Sequence, residues 1–396
     1  MLQIDFKILK TIVNIFDSET INIISKDSSI YLVTNNMVKT YKVPSVFCNV
    51  TKNMNFNISS VFIKKLQENI LTGTIQFSYS EKKELIFDKS EYEGGSLVIN
   101  KVSFPCPLLD ISYSDYKLKT LLRYNPSEID LKDLDSYITI IDKLEFQEIT
   151  SEFFLDNLDI LLSTTSDTND NLKVINYEIK NNNLRKSSTD RYKLTVTNEK
   201  TTLKDSFFNI LVEDIENIKK LITTEKNASL SFAIEDFNFY LKVNDSIFKY
   251  YLSERAYPAI DRIEPDLNTY RIYESKQLKD LVKLSISKVE KVSTVKLLFD
   301  PIGTLTLESS NVEGDKFVSE GIESLNKEKQ KPYEINLNSK FLHILLSKNK
   351  KMELVRVYYD PSSSLKPMVL VNNLIIDKSK SLFKQSLVTM LMPVRG

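Results

Sequence analysis

Few residues in this sequence could do covalent or metal chemistry. His343 is the only imidazole, and it sits in the apolar stretch KFLHILL, where it reads first as a helix residue. Cys48 and Cys106 are the only thiols. A zinc site of His and Cys needs three or four ligands, and these three residues are far apart in sequence. A Cys–His nucleophile pair stays open, because sequence distance says little about space, but no spacing supports it. Gly94 and Gly95, in EYEGGSL, read as a hairpin turn and not as a phosphate-cradling loop. Carboxylates are plentiful, so an acid–base pair or a Mg²⁺ site is open too, and no spacing singles one out. The cations are patterned more clearly. Lys276, Lys279 and Lys283 recur at three and four residues and share one helix face. Such a stripe is either a solvated face or the lining for a polyanion.

The rest of the composition narrows the classes further. The chain has 396 residues, 42% hydrophobic and 27% charged, which fits a folded protein of two or three domains. Lys+Arg and Asp+Glu number 53 each, so net charge does not drive tight phosphate binding. No apolar run nears the ~20 residues that a membrane span needs. The start, MLQIDFKILK, lacks the basic-then-apolar layout of a signal peptide. Two cysteines in so long a chain fit a reducing cytoplasm. The expectation is a cytoplasmic protein with no membrane contact, no cofactor, no metal and no catalytic residues.

These residues are positioned by an alternation of strands and helices. TIQFSYS (74–80), ELIFDKS (84–90), SLSFAI (229–234), FYLKVN (239–244), TVKLLFD (294–300), LTLESS (305–310) and MELVRVYY (352–359) alternate with the period of half-buried antiparallel strands. Helical spacing predicts helices near Phe6–Phe16, Ser59–Asn69, Ser151–Ser163, Glu213–Ile222, Ser275–Lys288 and Ser339–Ser347. They arrive as three pairs. Segments 59–79, 213–234 and 338–359 share a plan of polar cap, amphipathic helix, turn and alternating strand, and Ile-Lys-Lys-Leu recurs at 63–66 and 218–221. The repeat is about 125–155 residues, a whole domain and not a solenoid turn. The chain therefore divides as 1–138, 139–265 and 266–396. The polar runs YNPSEIDLKDLDSY (124–137) and EPDLNTY (264–270) read as connectors.

Three short segments then carry a family resemblance. Ser188-Thr189-Asp190-Arg191-Tyr192-Lys193-Leu194 is similar to a Thr-Asp-Gly-His-Arg-Leu segment. Tyr257-Pro258-Ala259-Ile260-Asp261-Arg262-Ile263 is similar to Phe-Pro-Asp-x-x-Arg-Val. The ending Met390-Leu391-Met392-Pro393-Val394-Arg395-Gly396 is similar to Met-Pro-Met-Arg-Leu. In this order they resemble the β subunit of bacterial DNA polymerase III, the replicative sliding clamp, over essentially the whole chain and best from about 150 onward. Arg191 and Tyr192 stand where the family has Gly and His, Lys193 replaces its Arg, and Gly396 its terminal aliphatic residue. The first domain is longer, with extra sequence around 85–137. The resemblance is to a divergent member.

The resemblance implies an α+β fold of three tandem clamp domains, each with antiparallel sheets outside and a pair of helices inside, closed as a head-to-tail dimeric ring. It implies a processivity factor that encircles double-stranded DNA with weak direct affinity. It also implies a pocket that takes a short linear peptide from the DNA polymerase and the clamp loader. The pocket residues would be Leu172, Thr189, Arg191, Tyr192, Lys193, Leu194, Pro258, Arg262, Ile263, Met390, Met392, Pro393, Val394 and Arg395. Methionines suit a site with many partners, because they repack easily. The lysines facing DNA would be Lys7, Lys10, Lys64, Lys65, Lys219, Lys220, Lys276, Lys279, Lys283 and Lys340. Helix 151–163 is the exception, with Glu152, Asp156 and Asp159 and no base. Two other classes stay open on the residues alone: a structural or assembly protein of tandem β-rich domains, and a hydrolase working through carboxylates.

Overall fold

The computed structural model describes residues 2–394 apart from 17, 35–39, 44, 68–73, 94–95, 114–115, 124, 127–128, 130, 225–226, 245, 289–293, 312, 349–352 and 373–381. Its recurrent unit is a strand that runs straight into a helix. Leu2–Asp5 leads into α1 (Phe6–Phe16), and Asn55–Ser59 into α2 (Ser60–Gln67). Of the later helices, α3 spans Leu131–Ile141, α4 Glu152–Leu155, α5 Leu158–Thr164 and α6 Val212–Thr224. The last two are α7 (Ser275–Lys288) and α8 (Ser339–Lys348). Ser206–Leu211, Thr269–Glu274 and Tyr333–Asn338 are the strands that enter α6, α7 and α8. The change from strand to helix is capped where it happens. Asp5 Oδ1 accepts from Lys7 N at 2.7 Å, and Asn338 Oδ1 from Phe341 N at 3.1 Å, each supplying one of the donors a helix start leaves unmet.

Contacts divide the chain into two compact units. The first, Met1–Ser151 with Lys220–Tyr251, holds three antiparallel sheets. One orders Cys48–Val50, Leu2–Asp5, Thr74–Glu93, Ser96–Tyr113 and Tyr116–Arg123. The second orders Asn125–Pro126, Asn55–Ser59, Thr20–Lys26, Ser29–Val33 and Thr40–Val43. The third orders Gln147–Ile149, Leu230–Glu235, Asn238–Val243 and Ser246–Tyr251. Two segments expected as separate strands, 74–80 and 84–90, form one long strand with a register shift between Ser80 and Lys83. It pairs with the next strand as far as Glu93↔Ser96. Gly94 and Gly95, read as that hairpin's turn, lie outside the described residues.

The connector expected at 124–137 is corrected by α3. Leu134 and Tyr137 are buried against Ile24, Tyr31, Val33 and Tyr240, with Ile138 and Ile141 packed at the margin. Positions 134, 137, 138 and 141 are the three- and four-residue steps of one helix face. The acids Asp133 and Asp135 hide this pattern; they face solvent, and Asp135 pairs with Lys26.

The second unit, Glu152–Lys219 with Leu252–Gly396, is built on an eight-stranded antiparallel sheet. Its order is Ser206–Leu211, Val174–Lys180, Asn183–Thr189, Lys193–Lys200, Leu387–Leu391, Met368–Val371, Leu354–Tyr359, Thr269–Glu274. A smaller sheet joins Lys316–Val318, Thr304–Ser310, Thr294–Phe299 and Tyr333–Asn338, with Ile322–Glu323 beside Thr304–Ser310. Ile160 of α5, Leu278, Leu281 and Val282 of α7, and Leu342, Leu345 and Leu346 of α8 fill one core with Leu387, Leu391 and Leu370. His343 sits on α8, as its apolar surroundings suggest, with Nε2 3.4 Å from Ser347 Oγ. None of the described helices is long and apolar enough to cross a membrane.

The single helix expected over Ser151–Ser163 is two. The chain breaks at Asn157, which takes a left-handed φ of 58°, a conformation asparagine tolerates better than most residues. The fully buried Lys186 ammonium donates to Phe153 O at 3.3 Å and Asp156 O at 3.1 Å, the carbonyls freed at the end of α4, and pairs with Glu199 at 3.0 Å.

Candidate functional site

The first of the three resembling segments is the turn of the hairpin Asn183–Thr189/Lys193–Lys200, closed by the pair Thr189↔Leu194. Asp190 Oδ1 accepts from Tyr192 N at 2.8 Å and Lys193 N at 2.7 Å. Thr189 Oγ1 donates to Lys193 O at 2.6 Å and accepts from Arg191 N at 3.1 Å. That hydroxyl, expected to meet a ligand, is engaged by the turn itself. Arg191 has φ 81°, in the region that favours glycine, which is the family's residue at this position. The turn's hydrogen bonds hold the arginine there. Lys193, expected on the pocket surface, is buried. Its Nζ donates to Ser163 O at 2.7 Å, pairs with Asp190 at 3.2 Å and lies 4.4 Å from the Phe341 ring centroid.

The third segment joins this hairpin edge to edge. Leu387–Leu391 pairs with Lys193–Lys200 on one side (Leu194↔Met390) and with Met368–Val371 on the other. Alternation sends Met390 to one sheet face and Leu391 to the other. Met390 packs with Leu194, Val196, Ile260, Phe383 and Val388, while Leu391 enters the helix-side core. The chain then leaves the sheet. Met392 N donates to Tyr192 O at 2.9 Å, and Val394 N to Asn336 O at 2.8 Å. Arg395 and Gly396 lie outside the described residues.

The second segment covers the same sheet face. Ile260 is buried in the cluster with Leu194 and Met390, and Tyr257 packs against it. Ile260–Ile263 forms a short 3₁₀ turn, with Arg262 N donating to Ala259 O at 3.0 Å. Arg185, on the hairpin, fixes this turn through two hydrogen bonds to Asp261 at 2.6 and 3.2 Å and a further one to Glu178. The guanidinium holds the Asp261 carboxyl below its ordinary range.

All three segments therefore meet on one sheet. Beside the buried Leu194 and Met390, they leave Tyr192 (65% exposed), Ile263 (46%), Met392 (36%) and Val394 (36%) at the surface, with Pro258 and Arg262 exposed as well and Pro393 half-buried. Leu172 is buried on the Asp170–Leu172 turn, where its carbonyl accepts from Ser166 N at 3.2 Å, and is not a member of that cluster. Two residues outside the expected set complete the site, Ile260 as an anchor and Arg185 as a clamp. Ile260 lies inside one of the three segments; Arg185 has no local signal, because its partner is 76 residues away.

The lysines divide by environment. On α7, Lys276 and Lys283 are exposed and Lys279 half-buried, and none has an ion-pair partner among the described residues. Lys7, Lys64, Lys65, Lys220 and Lys340 are exposed, and Lys10 is half-buried. Lys219 is half-buried, and its Nζ pairs with Asp159 of α5 at 2.8 Å.

No family model and no curated protein matches the sequence. Solved structures do match, over the full length. The DNA polymerase sliding clamp from Bacillus subtilis superposes with a TM-score of 0.75 at 15% identity, covering 100% of this chain and 99% of that one. The DNA polymerase III subunit beta from Pseudomonas aeruginosa gives 0.74 at 12% identity, with 100% of each chain covered. The DNA polymerase III beta subunit from Thermotoga maritima gives 0.72 at 15%, again with 100% of each covered. At such identities the likeness is one of fold: the chain has the α+β architecture, with antiparallel sheets, that these proteins share.

Proposed function

We propose that this protein is a replicative sliding clamp, a non-enzymatic processivity factor that encircles double-stranded DNA in the cytoplasm. The observation that carries the reading is the fold match along the entire chain to proteins described as DNA polymerase sliding clamps. A match of one domain would fit many functions; a match along the whole length of the chain fits fewer. In this reading the chain holds three clamp domains, 1–138, 139–265 and 266–396, and two chains close head to tail. Closed symmetry would use up both joining surfaces.

The sheet surface around Leu194, Ile260 and Met390 would receive a short linear peptide from the polymerase or the clamp loader. Exposed Tyr192, Ile263 and Met392 would provide the contacts for two apolar side chains. Burying each is worth roughly 1.5–3 kcal/mol, which after association costs leaves micromolar binding, suited to partners that exchange. Leu391 belongs to an interior strand, so the informative truncation removes 392–396 and spares it. That truncation is expected to abolish binding of a Gln-Leu-x-Leu-Phe-type peptide in fluorescence anisotropy, with the oligomer unchanged. Equal binding by both forms would move the peptide site elsewhere.

The lysines of α7 would face DNA, which topology and not affinity would retain. Light scattering of the purified chain, followed by retention on nicked circular DNA, tests the whole reading. A dimer that is held on the circle and slides off when it is linearised is the expected result. A monomer at micromolar concentration in low salt would contradict the ring.

A further inference from the structure

Arg191 holds an unfavourable backbone conformation at the joint of the candidate site. Its φ of 81° lies in the left-handed region, where a side chain is strained and glycine is not. The turn imposes this conformation, because Thr189 Oγ1 accepts from Arg191 N and Asp190 Oδ1 accepts from the next two N–H groups. Strain of this kind persists only where the surroundings dictate it, and it concentrates at sites that bind a ligand. The carbonyl of the next residue, Tyr192, accepts from Met392 N at 2.9 Å. The strained residue therefore stands where the hairpin turn meets the C-terminal segment.

The charges around it are unevenly spent. The three segments carry two carboxylates, Asp190 and Asp261, and both are engaged. Asp190 pairs with Lys193 at 3.2 Å, and Asp261 accepts two hydrogen bonds from Arg185. Lys384 also acts on Asp261 and helps to hold its carboxyl below the ordinary range. Glu264, just past the second segment, accepts from Phe383 N at 3.0 Å. Two cations are left over. Arg191 and Arg262 are exposed, and neither guanidinium has a hydrogen bond or ion pair among the described residues. The free charge of this surface is positive, although the chain as a whole is neutral.

Beside the two arginines lie exposed Tyr192, Ile263 and Met392. A nucleic-acid backbone would answer the guanidinium groups and leave these apolar side chains in water. A wholly apolar peptide would cover the side chains and leave the charges unanswered. A ligand with both characters matches the surface.

We propose that Arg191 is a specificity-determining residue of this surface, and that the peptide it selects carries Asp or Glu beside its apolar anchors. This inference rests on the peptide-site reading given above. Arg191 pairs with the peptide carboxylate at the rim, where the planar guanidinium fork suits a carboxylate. Its effect is mainly on the choice of partner, because rim charges alter discrimination more than raw affinity.

The test uses the full chain and three labelled peptides that differ only in the residues flanking a Leu-x-Leu-Phe core, which are Asp, Asn or Lys. Fluorescence anisotropy at low salt is expected to rank them in that order, with the Asp peptide ~fivefold tighter than the Asn peptide. In about 0.5 M salt the preference should shrink to ~twofold or less. Arg191→Gly, which is relaxed at this φ, should cut the preference to ~twofold or less without lowering the melting temperature. Arg191→Lys keeps the charge on the same strained backbone and should retain most of the preference. Lys384→Gln removes a charge already turned to Asp261 and should keep the preference of the parent. The proposal is overturned if the Asn peptide binds as tightly as the Asp peptide, if Arg191→Gly keeps the preference, or if Lys384→Gln abolishes it. It is also overturned if a duplex oligonucleotide displaces the Asp peptide as readily as unlabelled peptide does. Equal binding of all three peptides removes this inference alone, whereas binding of none removes the peptide-site reading and this inference with it.

Discussion

Helices α4–α5 and α7 lie in one compact unit and both send apolar side chains into its core, but they do so differently. α7 runs unbroken over Ser275–Lys288, buries Leu278, Leu281, Val282 and Ser285, and shows solvent Lys276 and Lys283. The other is cut at Asn157 into two short helices, with a buried ammonium at the cut and a carboxylate, Asp159, that pairs with Lys219. An amphipathic stripe thus predicts burial but not continuity. Continuity depends on what lies beneath the helix. A buried Lys186 needs carbonyl acceptors, and ending a helix above it supplies them.

Replacing Lys186 by Met should have the largest effect on this contrast. It leaves Glu199 without its partner and the Phe153 and Asp156 carbonyls without their donor. The expected loss is about 3 kcal/mol, the low end for a broken buried pair, because Glu199 keeps some solvent. Urea unfolding measures it. A loss below 1 kcal/mol would mean that the break in α4–α5 does not depend on the lysine.

Asn157→Ala comes next. Alanine resists the left-handed φ of 58°, so a loss of about 1 kcal/mol is expected, and Asn157→Gly should be nearly neutral. If alanine is also neutral, the two short helices can fuse, and the contrast with α7 is shallow.

On α7 the expected effect is functional and not structural. Lys276→Glu, Lys279→Glu and Lys283→Glu together should shorten retention on nicked circular DNA, while each changes stability by no more than ~0.5 kcal/mol. Parent-like retention of the folded triple variant would place that helix face away from DNA.

The elements most legible in the sequence were those whose polar caps and apolar period agree. Phe6–Phe16 and Ser275–Lys288 begin and end where the spacing placed them. α3 was hidden because its acids made a helix look like a linker, although Leu134, Tyr137, Ile138 and Ile141 already carried the period. The break at Asn157 had no local signal, because its partner Lys186 lies on a later strand. At the candidate site, three segments nearly 70 and 130 residues apart meet on one sheet. The roles of single side chains were less visible. Thr189 and Lys193 are polar in sequence, but their polar atoms are bound within the protein. Whether a polar side chain faces a ligand or its own backbone depends on tertiary contacts that spacing does not encode.

The smallest effect separates the two helices most finely. Lys219 and Asp159 pair at 2.8 Å with 41% and 37% of their side chains exposed, and an exposed pair of this kind is worth about 0.2–1 kcal/mol. Asp159→Asn should therefore leave the melting temperature nearly unchanged. It would also remove the carboxylate that neutralises Lys219 and turn an acid-bearing helix into one closer in charge to α7. If both helices face DNA, retention should lengthen slightly, by about twofold at low salt, and the gain should vanish as salt shortens the Debye length to a few ångströms. A gain that persists in high salt would point to a conformational cause instead. No change at any salt, beside a clear loss in the α7 triple variant, would mean that only α7 meets the phosphates and that α5 keeps its acid because that face never approaches them.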